Sequence, residues 1–202
     1  MSDVLILIPA AGASTRMRGR DKLLQEVDGL PVLARLLQAA RGTGAPVLVT
    51  LAQDRPERAE ALVGQLDASV TLLPIDGREG MALSIRRAVA LAKAMNPVPD
   101  GLMILPADMP ELETSDLTAV MASFVAAPQA IHRGAGADGT PGHPVIIPQR
   151  LYPALEGLRG DEGARSVLRG EEVRLTALPG RRALTDLDTP EDWAAWRAGR
   201  SP

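Results

Sequence analysis

The sequence predicts an α/β fold, a three-layer α/β/α sandwich built on a Rossmann-like, mostly parallel sheet. Two observations predict it. Short aliphatic runs such as residues 4–8, "VLILI", contain no polar residue, which is typical of strands buried on both faces. These runs alternate with longer amphipathic segments, and that alternation indicates βαβ units with helices covering a parallel sheet. The 202 residues, 46% of them hydrophobic, suffice for one continuous core, so we expect a single domain spanning 1–202.

In the first half of the chain, strand and helix candidates follow one another regularly. The helix predicted after the first strand begins at Pro31, which suits a first helical turn, and ends at Gly42 and Gly44. The remaining strands of this half are "APVLVTLA", "ASVTLLP" and "GLMILPAD", and the helices between them are "RPERAEALVGQL" and "GMALSIRRAVALAKAM".

The second half is less regular. "TSDLTAVMASFVAA" predicts a helix with Thr114 or Ser115 as its N-cap, and "TPEDWAAWRAG" predicts a terminal helix that begins at Thr189 and Pro190. Between them, "QAIHRGAGADGTPGHPVIIP" predicts two short strands joined by a glycine-rich loop, "EGARSVLRG" a short helix and "EVRLTALP" a strand. We expect this part to add mixed or antiparallel edge strands and to cover the ligand.

The composition excludes several classes of function. A net charge of −3 and 2% aromatic residues provide neither a basic field nor stacking platforms, so we expect no nucleic-acid partner. Without cysteine there is no disulfide, thiolate metal site or cysteine nucleophile. No apolar stretch approaches the roughly 18 residues of a membrane span, and the first residues lack a basic signal region. We therefore expect a soluble cytoplasmic protein with no membrane partner.

The loop after the first strand is the first candidate site, because open α/β sheets bind ligands beyond the carboxyl ends of their strands. Small residues at 10–13 leave room for backbone N–H groups to approach a phosphate chain, and Arg16 and Lys22 can donate charge-assisted hydrogen bonds to it. The loop has neither the Gly-Lys-Ser/Thr of a Walker A motif nor a GxGxxG turn into a helix. On local sequence, an anion-binding loop and a solvated basic turn both stay open.

A second candidate site is "ILPADMP", where Asp108 follows an aliphatic strand. A carboxylate there suits a hard cation such as Mg²⁺, which takes one or two carboxylates together with substrate phosphates. The segment "TDLDTPED" adds Asp186 and Asp188 directly before a predicted helix. Either could join Asp108 around one metal, but Asp108 could instead cap a turn and Asp188 could be a helix N-cap.

Two further features carry less functional weight. Residues 134–139, "GAGADG", fit GxGxxG but lie between two strand-like runs and precede no helix, so we expect a loop and not a dinucleotide site. The two histidines, His132 and His143, are too few for a zinc site without thiolates. His143, between Gly142 and Pro144, is either a structural turn residue or a substrate contact.

Taken in order, several motifs resemble the MobA-like NTP transferase family. They are "PAAGAS" with Arg16 and Lys22 behind it, "DGLPVLAR", "EGMALSIRRAV", "LPADMP", "GTPGHPVIIP", "LRGDEGARSVL" and "DLDTPEDW", and they run from Leu7 to about Trp193. The resemblance is closest to the molybdenum cofactor cytidylyltransferases. In this family the "AAG" of the first motif goes with cytidine, whereas guanylyl relatives tend to carry two glycines.

The resemblance implies a fold of the nucleotide-diphospho-sugar transferase type and a Mg²⁺-dependent reaction. The terminal phosphate of molybdopterin would attack the α-phosphate of CTP and release pyrophosphate. A molybdoenzyme or its chaperone is a further candidate partner. By matching positions, the resemblance implies catalysis by Arg16, Lys22 and Asp108 and metal binding by Asp108 with Asp186 or Asp188. It implies acceptor binding by Gly142 and His143. The residues it implies for nucleotide binding are Ala10, Ala11, Gly12, Ala13, Ser14, Arg16, Lys22, Gly80 and Ser84.

The chain departs from the family pattern at a few positions. The step from Arg16 to Lys22 is one or two residues longer than in many relatives, which leaves Arg18 and Arg20 without an implied role. Ala107 stands in "LPADMP" where glycine is usual. A guanylyl- or sugar-phosphate nucleotidyltransferase of the same fold, and a non-catalytic nucleotide- or cofactor-binding module, therefore stay open as alternatives.

Overall fold

The computed structural model describes residues 3–200 of the chain. Its strands and α-helices, in chain order, are β1 (Val4–Ala10), β2 (Glu26–Val27), β3 (Leu30–Pro31), α1 (Val32–Arg41), β4 (Val47–Ala52), α2 (Pro56–Glu60), β5 (Val70–Ile75), α3 (Gly80–Ala94), β6 (Gly101–Ile104), α4 (Thr114–Ala126), β7 (Ile131–Ala135), β8 (Pro141–Pro148), α5 (Tyr152–Glu156), β9 (Val173–Ala177) and α6 (Pro190–Gly199).

Seven strands form one sheet in the order β5, β4, β1, β6, β8, β7, β9, while β2 and β3 form a separate antiparallel pair. The neighbours β5, β4, β1 and β6 are parallel, and β7 is parallel to β9. Strand β8 runs the other way, antiparallel to both β6 and β7. The mostly parallel, Rossmann-like sheet is therefore confirmed, and the antiparallel strand lies in the second half, where mixed pairing was expected.

Alternate side chains of β1 enter two separate cores, one on each face of the sheet. Ile6 and Ile8 pack into the core that α1, α4 and α6 cover, which includes Trp193. Leu5 and Leu7 pack into the core that α3 and α5 cover. These four β1 side chains are at most 1% exposed, and burying each stabilises the fold by roughly 1.5–3 kcal/mol. The predicted three-layer α/β/α arrangement is confirmed.

The sheet order decides where the candidate site lies. Strands β1 and β6 are parallel neighbours, with Leu7 opposite Ile104. The loops that follow these two strands therefore leave the sheet at the same edge, and one carries Lys22 while the other carries Asp108. Two motifs far apart in the sequence are brought together by this one pairing.

Two helical segments are shorter than the sequence pattern predicts. Helix α2 ends at Glu60, and a 3-10 turn at Val63–Gln65 replaces the rest of the expected helix. Gly64 lowers helix propensity there, while Leu62 is anchored in the core. Residues 162–170 likewise form a 3-10 turn at Ala164–Ser166 instead of a short helix. Helix α5, with a proline in its first turn, was not predicted.

The N-cap of α4 is Glu113, so the expectation of Thr114 or Ser115 is wrong by one or two positions. Glu113 and Asp116 form a reciprocal capping box, which satisfies two backbone donors at the helix start. The hydroxyl of Thr114 instead donates to the carbonyl of Ala39 at 3.0 Å, which ties α4 to α1. None of the helices within residues 3–200 combines the length and apolar character that crossing a bilayer requires.

Candidate active site

A cleft of about 460 Å³ opens at the carboxyl ends of β1 and β6. One wall is the β1 loop, which we define as residues 11–21. The others are the start of α3 with the turn before it, and the segment that follows β6. Seven of the predicted site residues line this one cleft: Ala11, Gly12, Ala13, Lys22, Gly80, Ser84 and Asp108.

Lys22 forms the centre of the charged part of the cleft. Its Nζ donates to Asp108 Oδ2 at 2.5 Å and to Asp188 Oδ1 at 2.6 Å. Burial of the ammonium opposes its charge, but Asp108 and Asp188 outweigh that effect and raise the pKa of Lys22. Arg16, two-thirds exposed, pairs with the other oxygen of Asp188 at 2.8 Å. The longer step from Arg16 to Lys22 thus still brings both cations to one carboxylate, that of Asp188.

Asp108 has one carboxylate oxygen that lacks a partner. Oδ2 accepts from Lys22, whereas Oδ1 is buried and meets no hydrogen-bond donor among residues 3–200. Leaving such an oxygen unsatisfied costs free energy, so a ligand at this point is favoured. Carboxylate oxygens of this kind are the ligands that Mg²⁺ prefers. Asp108 and Asp188 thus fit a divalent cation, while no set of three His, Asp or Glu side chains in the described range converges as a complete metal site.

Asp186 lies close to the same acidic centre but makes no hydrogen bond to Lys22. Partial desolvation, followed by the negative charges of Asp108 and Asp188, raises the pKa of the Asp186 carboxyl. The N-cap of α6 is Thr189, whose Oγ1 accepts from the backbone N–H of Asp192 at 3.1 Å. Since Thr189 serves as the cap, the side chain of Asp188 is available to Lys22.

Sequence analysis did not single out Arg58, a residue of α2 that is completely buried. Its Nε donates to Asp21 Oδ2 at 2.7 Å and its Nη2 to Asp21 Oδ1 at 3.1 Å. It also donates to the carbonyl of Ala10 at 2.5 Å and to Ser14 Oγ at 3.1 Å. These three partners are the last residue of β1, the middle of the β1 loop and its last residue. Arg58 therefore fixes the shape of the loop that leads into Lys22.

Ser14 and Arg18 both adopt left-handed backbone conformations, with φ of 52° and 51°. Such conformations are unfavourable for side chains other than glycine and persist where the surroundings hold them. The hydroxyl of Ser14 is held between Arg58 and Asp21, so it belongs to the framework of the loop. A contact between Ser14 and a nucleotide stays a prediction. On the surface, Arg18 pairs with Glu191 at 2.7 Å, away from the acidic centre.

Two glycines allow the start of α3 to approach its neighbours closely. A Cβ on Gly77 would collide with the carbonyl oxygen of Ala11 in the β1 loop. Gly80 has a φ of 75°, and a Cβ there would collide with the backbone of Gly160. Ser84, which is buried, accepts from Thr50 Oγ1 at 2.9 Å, so its hydroxyl is oriented by β4.

The segment "GHP" lies within β8, so the expectation of a turn at His143 is wrong. Gly142 packs so tightly that a Cβ would collide with the carbonyl of Ala183, and the N–H of His143 donates to that same carbonyl at 2.8 Å. His143 Nδ1 is buried and has no hydrogen-bond partner within residues 3–200. Burial and the positive charge of Arg133 lower the pKa of His143 to about 4, while Asp108 acts in the opposite direction. The ring is therefore neutral near pH 7.

Comparison with known families identifies the chain. The family model of the MobA-like NTP transferase domain matches residues 6–177. The chain belongs to the MobA-like NTP transferase family. The resemblance of the motifs to this family is thereby confirmed.

Curated relatives in this family carry different names. A molybdenum cofactor guanylyltransferase of Pseudomonas paraeruginosa is 30% identical over 192 residues, covering 92% of this chain and 90% of that protein. The purine catabolism protein PucB of Bacillus subtilis is 34% identical over 131 residues, or 62% of this chain. The match spans 60% of the length of PucB.

Solved structures share the same fold. Rv0371c of Mycobacterium tuberculosis H37Rv superposes with a TM-score of 0.79 at 25% identity, covering 96% of this chain and 97% of that one. A second structure of Rv0371c, in complex with manganese, gives a TM-score of 0.75 at 22% identity, covering 96% and 97% of the two chains.

Proposed function

We propose that this protein transfers CMP from CTP to the terminal phosphate of molybdopterin, in a Mg²⁺-dependent reaction that releases pyrophosphate. The observation that carries the proposal is the arrangement of Lys22 between Asp108 and Asp188 beneath a loop of small residues. An ammonium group that can bind phosphate oxygens and carboxylates that can bind a metal thus lie together at the cleft.

The chemistry asks little covalent help of the protein. A phosphate nucleophile is already ionised, so the enzyme must align it, offset the growing charge and stabilise the departing pyrophosphate. Small residues at 11–13 allow backbone N–H groups to approach the triphosphate, and Arg16 and Lys22 supply charged donors to its oxygens. The cleft accordingly needs no nucleophilic side chain, and the chain contains no cysteine to act as one.

Asp108 and Asp188 are the residues we propose as metal ligands, with Asp186 as the alternative second ligand. The buried, unpartnered Oδ1 of Asp108 supports the assignment. A bound Mg²⁺ would polarise phosphoryl oxygens as a Lewis acid. When a triphosphate is present, its oxygens compete with the carboxylates for the ammonium of Lys22, and we propose that Lys22 then binds phosphate.

CTP is favoured over GTP by residue 11. The methyl group of Ala11 packs with Ala52, Ile75 and Leu83 and occupies space that glycine would leave open. A second cavity of about 400 Å³ adjoins the cleft, and Ala11 is one of the residues that line both. A smaller pyrimidine fits this constraint better than a purine. GTP stays the alternative, because curated relatives are named guanylyltransferases.

The proposed acceptor rests on the names of related proteins. Relatives that cover nine-tenths of its length are named for the molybdenum cofactor, which supports molybdopterin. A sugar phosphate is the alternative acceptor, and a molybdoenzyme or its chaperone is the partner we expect to take the product.

The experiment measures pyrophosphate release with CTP, GTP and UTP, each with Mg²⁺ and molybdopterin. We expect turnover to be highest with CTP and to stop when the metal is chelated. Faster turnover with GTP than with CTP would show that GTP is the nucleotide donor. If no nucleotide releases pyrophosphate although nucleotide binds, the chain is a non-catalytic binding module. Repeating the assay with Mn²⁺ compares the two metals directly.

A further inference from the structure

Arg133 is a charged side chain of the central sheet that is not among the residues lining the cleft. It lies in β7 and is half-buried. Its Nε donates to the carbonyl of Gly142 at 3.1 Å, directly before His143. Within residues 3–200 no carboxylate forms an ion pair with it, and its two terminal nitrogens have no protein acceptor. Two donor groups of a guanidinium are therefore available to a ligand.

The register of the sheet sets the direction of Arg133. Successive side chains of a strand point to opposite faces, so Arg133 shares a face with Ile131, two residues before it. Ile131 packs into the core beneath α3 and α5, as does Val145, which lies opposite Arg133 on β8. Arg133 thus projects on the face of the sheet where the start of α3 lines the cleft.

A second positive charge lies near Arg133. Ala164, Val167 and Leu168 pack on the same core as Ile131, which brings the turn at Ala164–Ser166 to this face. Partial burial, and after it the charge of Arg165, lowers the pKa of the Arg133 guanidinium. Neither arginine has a carboxylate partner in the described part of the chain. Two cations with no counter-ion form a place for an anion.

This place lies across the acidic centre from the triphosphate loop. In the sheet order β1, β6, β8, β7, Arg133 lies on the far side of β6 from β1. It pairs with Val145, which in turn pairs with Ile104 at the end of β6, four residues before Asp108. The β1 loop contacts Asp108 from the other side through Lys22. A ligand held by Arg133 would therefore approach the same centre from the side opposite the nucleotide.

We propose that Arg133 binds the phosphate group of the acceptor, with its two terminal nitrogens donating to phosphate oxygens. A planar guanidinium presents paired donors that match this geometry. The inference rests on the proposed function for the existence of a phosphorylated acceptor. It goes beyond that proposal in naming the side chain that holds the acceptor's phosphate.

The first test is steady-state kinetics with Arg133→Gln, using molybdopterin as acceptor. We expect the KM for the acceptor to rise about tenfold or more, since a hydrogen bond to a charged group is lost, while kcat and the KM for CTP stay unchanged. Arg133→Lys keeps the charge but not the paired donors, so its KM for the acceptor should lie between those of the wild type and Arg133→Gln. Arg174→Gln is the matched control. It lies on the neighbouring strand opposite His132, on the other face, and pairs with Glu172. An unchanged acceptor KM, or an equal rise in the KM for CTP, would overturn the proposal.

The second test does not depend on turnover. Inorganic phosphate is titrated calorimetrically into protein saturated with CTP and Mg²⁺, so that the nucleotide site is filled. We expect the wild-type and Arg174→Gln proteins to bind phosphate equally, and Arg133→Gln to bind it about fivefold or more weakly. Equal phosphate binding by all three proteins, or none by the wild type, contradicts the inference.

If the wild type does not bind CTP, the proposed function fails and the titration is run without nucleotide. Phosphate binding that is lost in Arg133→Gln but kept in Lys22→Gln would then still support the site at Arg133. The reverse pattern would overturn it. The two failures are thereby told apart.

Discussion

Arg58 and Asp21 form a buried ion pair with two hydrogen bonds, and it joins α2 to the end of the β1 loop. Asp21 also accepts from the backbone N–H of Leu23 at 2.9 Å and so caps the turn that begins at Lys22. Burial of Asp21 opposes its charge, but Arg58 and the Leu23 N–H outweigh that and lower the pKa of the carboxyl. The position of Lys22 therefore depends on a side chain that is distant in sequence.

Replacing Arg58 should damage both stability and nucleotide binding. Arg58→Met leaves the largely buried Asp21 with only the longer contact to Arg55 Nη1 at 3.5 Å as an ion pair, so we expect the free energy of unfolding to fall by about 3–5 kcal/mol. Urea unfolding measures this loss, and calorimetry measures the affinity for CTP, which should also fall. Arg174→Met is the control. Arg174 pairs with Glu172 at the surface, so we expect a loss of about 1 kcal/mol or less and unchanged CTP affinity. Equal losses in the two variants would argue against a special role for Arg58.

Asp108→Asn should separate catalysis from binding. If Asp108 holds the metal, its loss removes several kcal/mol of charge stabilisation in the transition state, so kcat should fall by about 10²-fold or more. The dissociation constant for CTP should change much less, since the β1 loop is intact. Single-turnover rates and equilibrium titrations provide the two numbers. Asp138→Asn, in the loop between β7 and β8, serves as the control and should match the wild type. A full rate in Asp108→Asn would exclude the metal role.

Residue 11 should control the choice of base. Ala11→Gly removes the methyl group that packs against Ala52 and Ile75, and we expect kcat/KM for GTP relative to CTP to rise about tenfold. Competition assays with both nucleotides measure the ratio directly. Ala13→Gly makes the same change two residues later, and it should leave the ratio unchanged. A ratio that moves equally in both variants would point to loop flexibility as the cause.

His132 should make stability depend on pH. It is buried, with Nδ1 against Ser123 Oγ at 2.8 Å and Nε2 against the carbonyl of Ala127 at 3.0 Å. Burial lowers its pKa below the ordinary 6.5. The unfolded chain thus takes up the proton first, so the stabilisation is complete above that value and is lost as the pH falls through it toward the folded pKa.

We expect the wild type to lose more unfolding free energy between pH 7.5 and pH 5 than His132→Gln, measured by urea unfolding at both values. The glutamine variant can be less stable at every pH, so the comparison is between slopes. Parallel slopes would show that His132 does not titrate across this range.

The elements that could be predicted from the sequence are those whose environment is the same along their whole length. The strand at 4–8 is apolar throughout because both of its faces are covered. Lys22 and Asp108 were found because each follows a strand, and the parallel pairing of β1 with β6 brings such residues together. Their direct contact could not be predicted, because it depends on the path of the β1 loop.

Arg58 was missed for a physical reason. An arginine in a short helix ordinarily faces solvent, and its segment reads as an amphipathic surface helix. The available signal was its spacing of four residues from Leu62, which is fully buried and puts Arg58 on the inward face. His143 was misplaced because glycine and proline on either side indicate a turn, whereas tight packing against Ala183 keeps this segment extended.

Because Lys22 pairs with Asp108 and Asp188, its ammonium is the counter-ion of the two carboxylates. On the proposed function, a nucleotide that arrives with its cation would exchange partners with this centre: the carboxylates would give up the ammonium and bind the metal, and the ammonium would bind phosphate oxygens. Each charge would then keep a partner, so neither ligand would enter an uncompensated field. Because Lys22 would take part in both exchanges, the nucleotide and the metal should each tighten the binding of the other by the same factor.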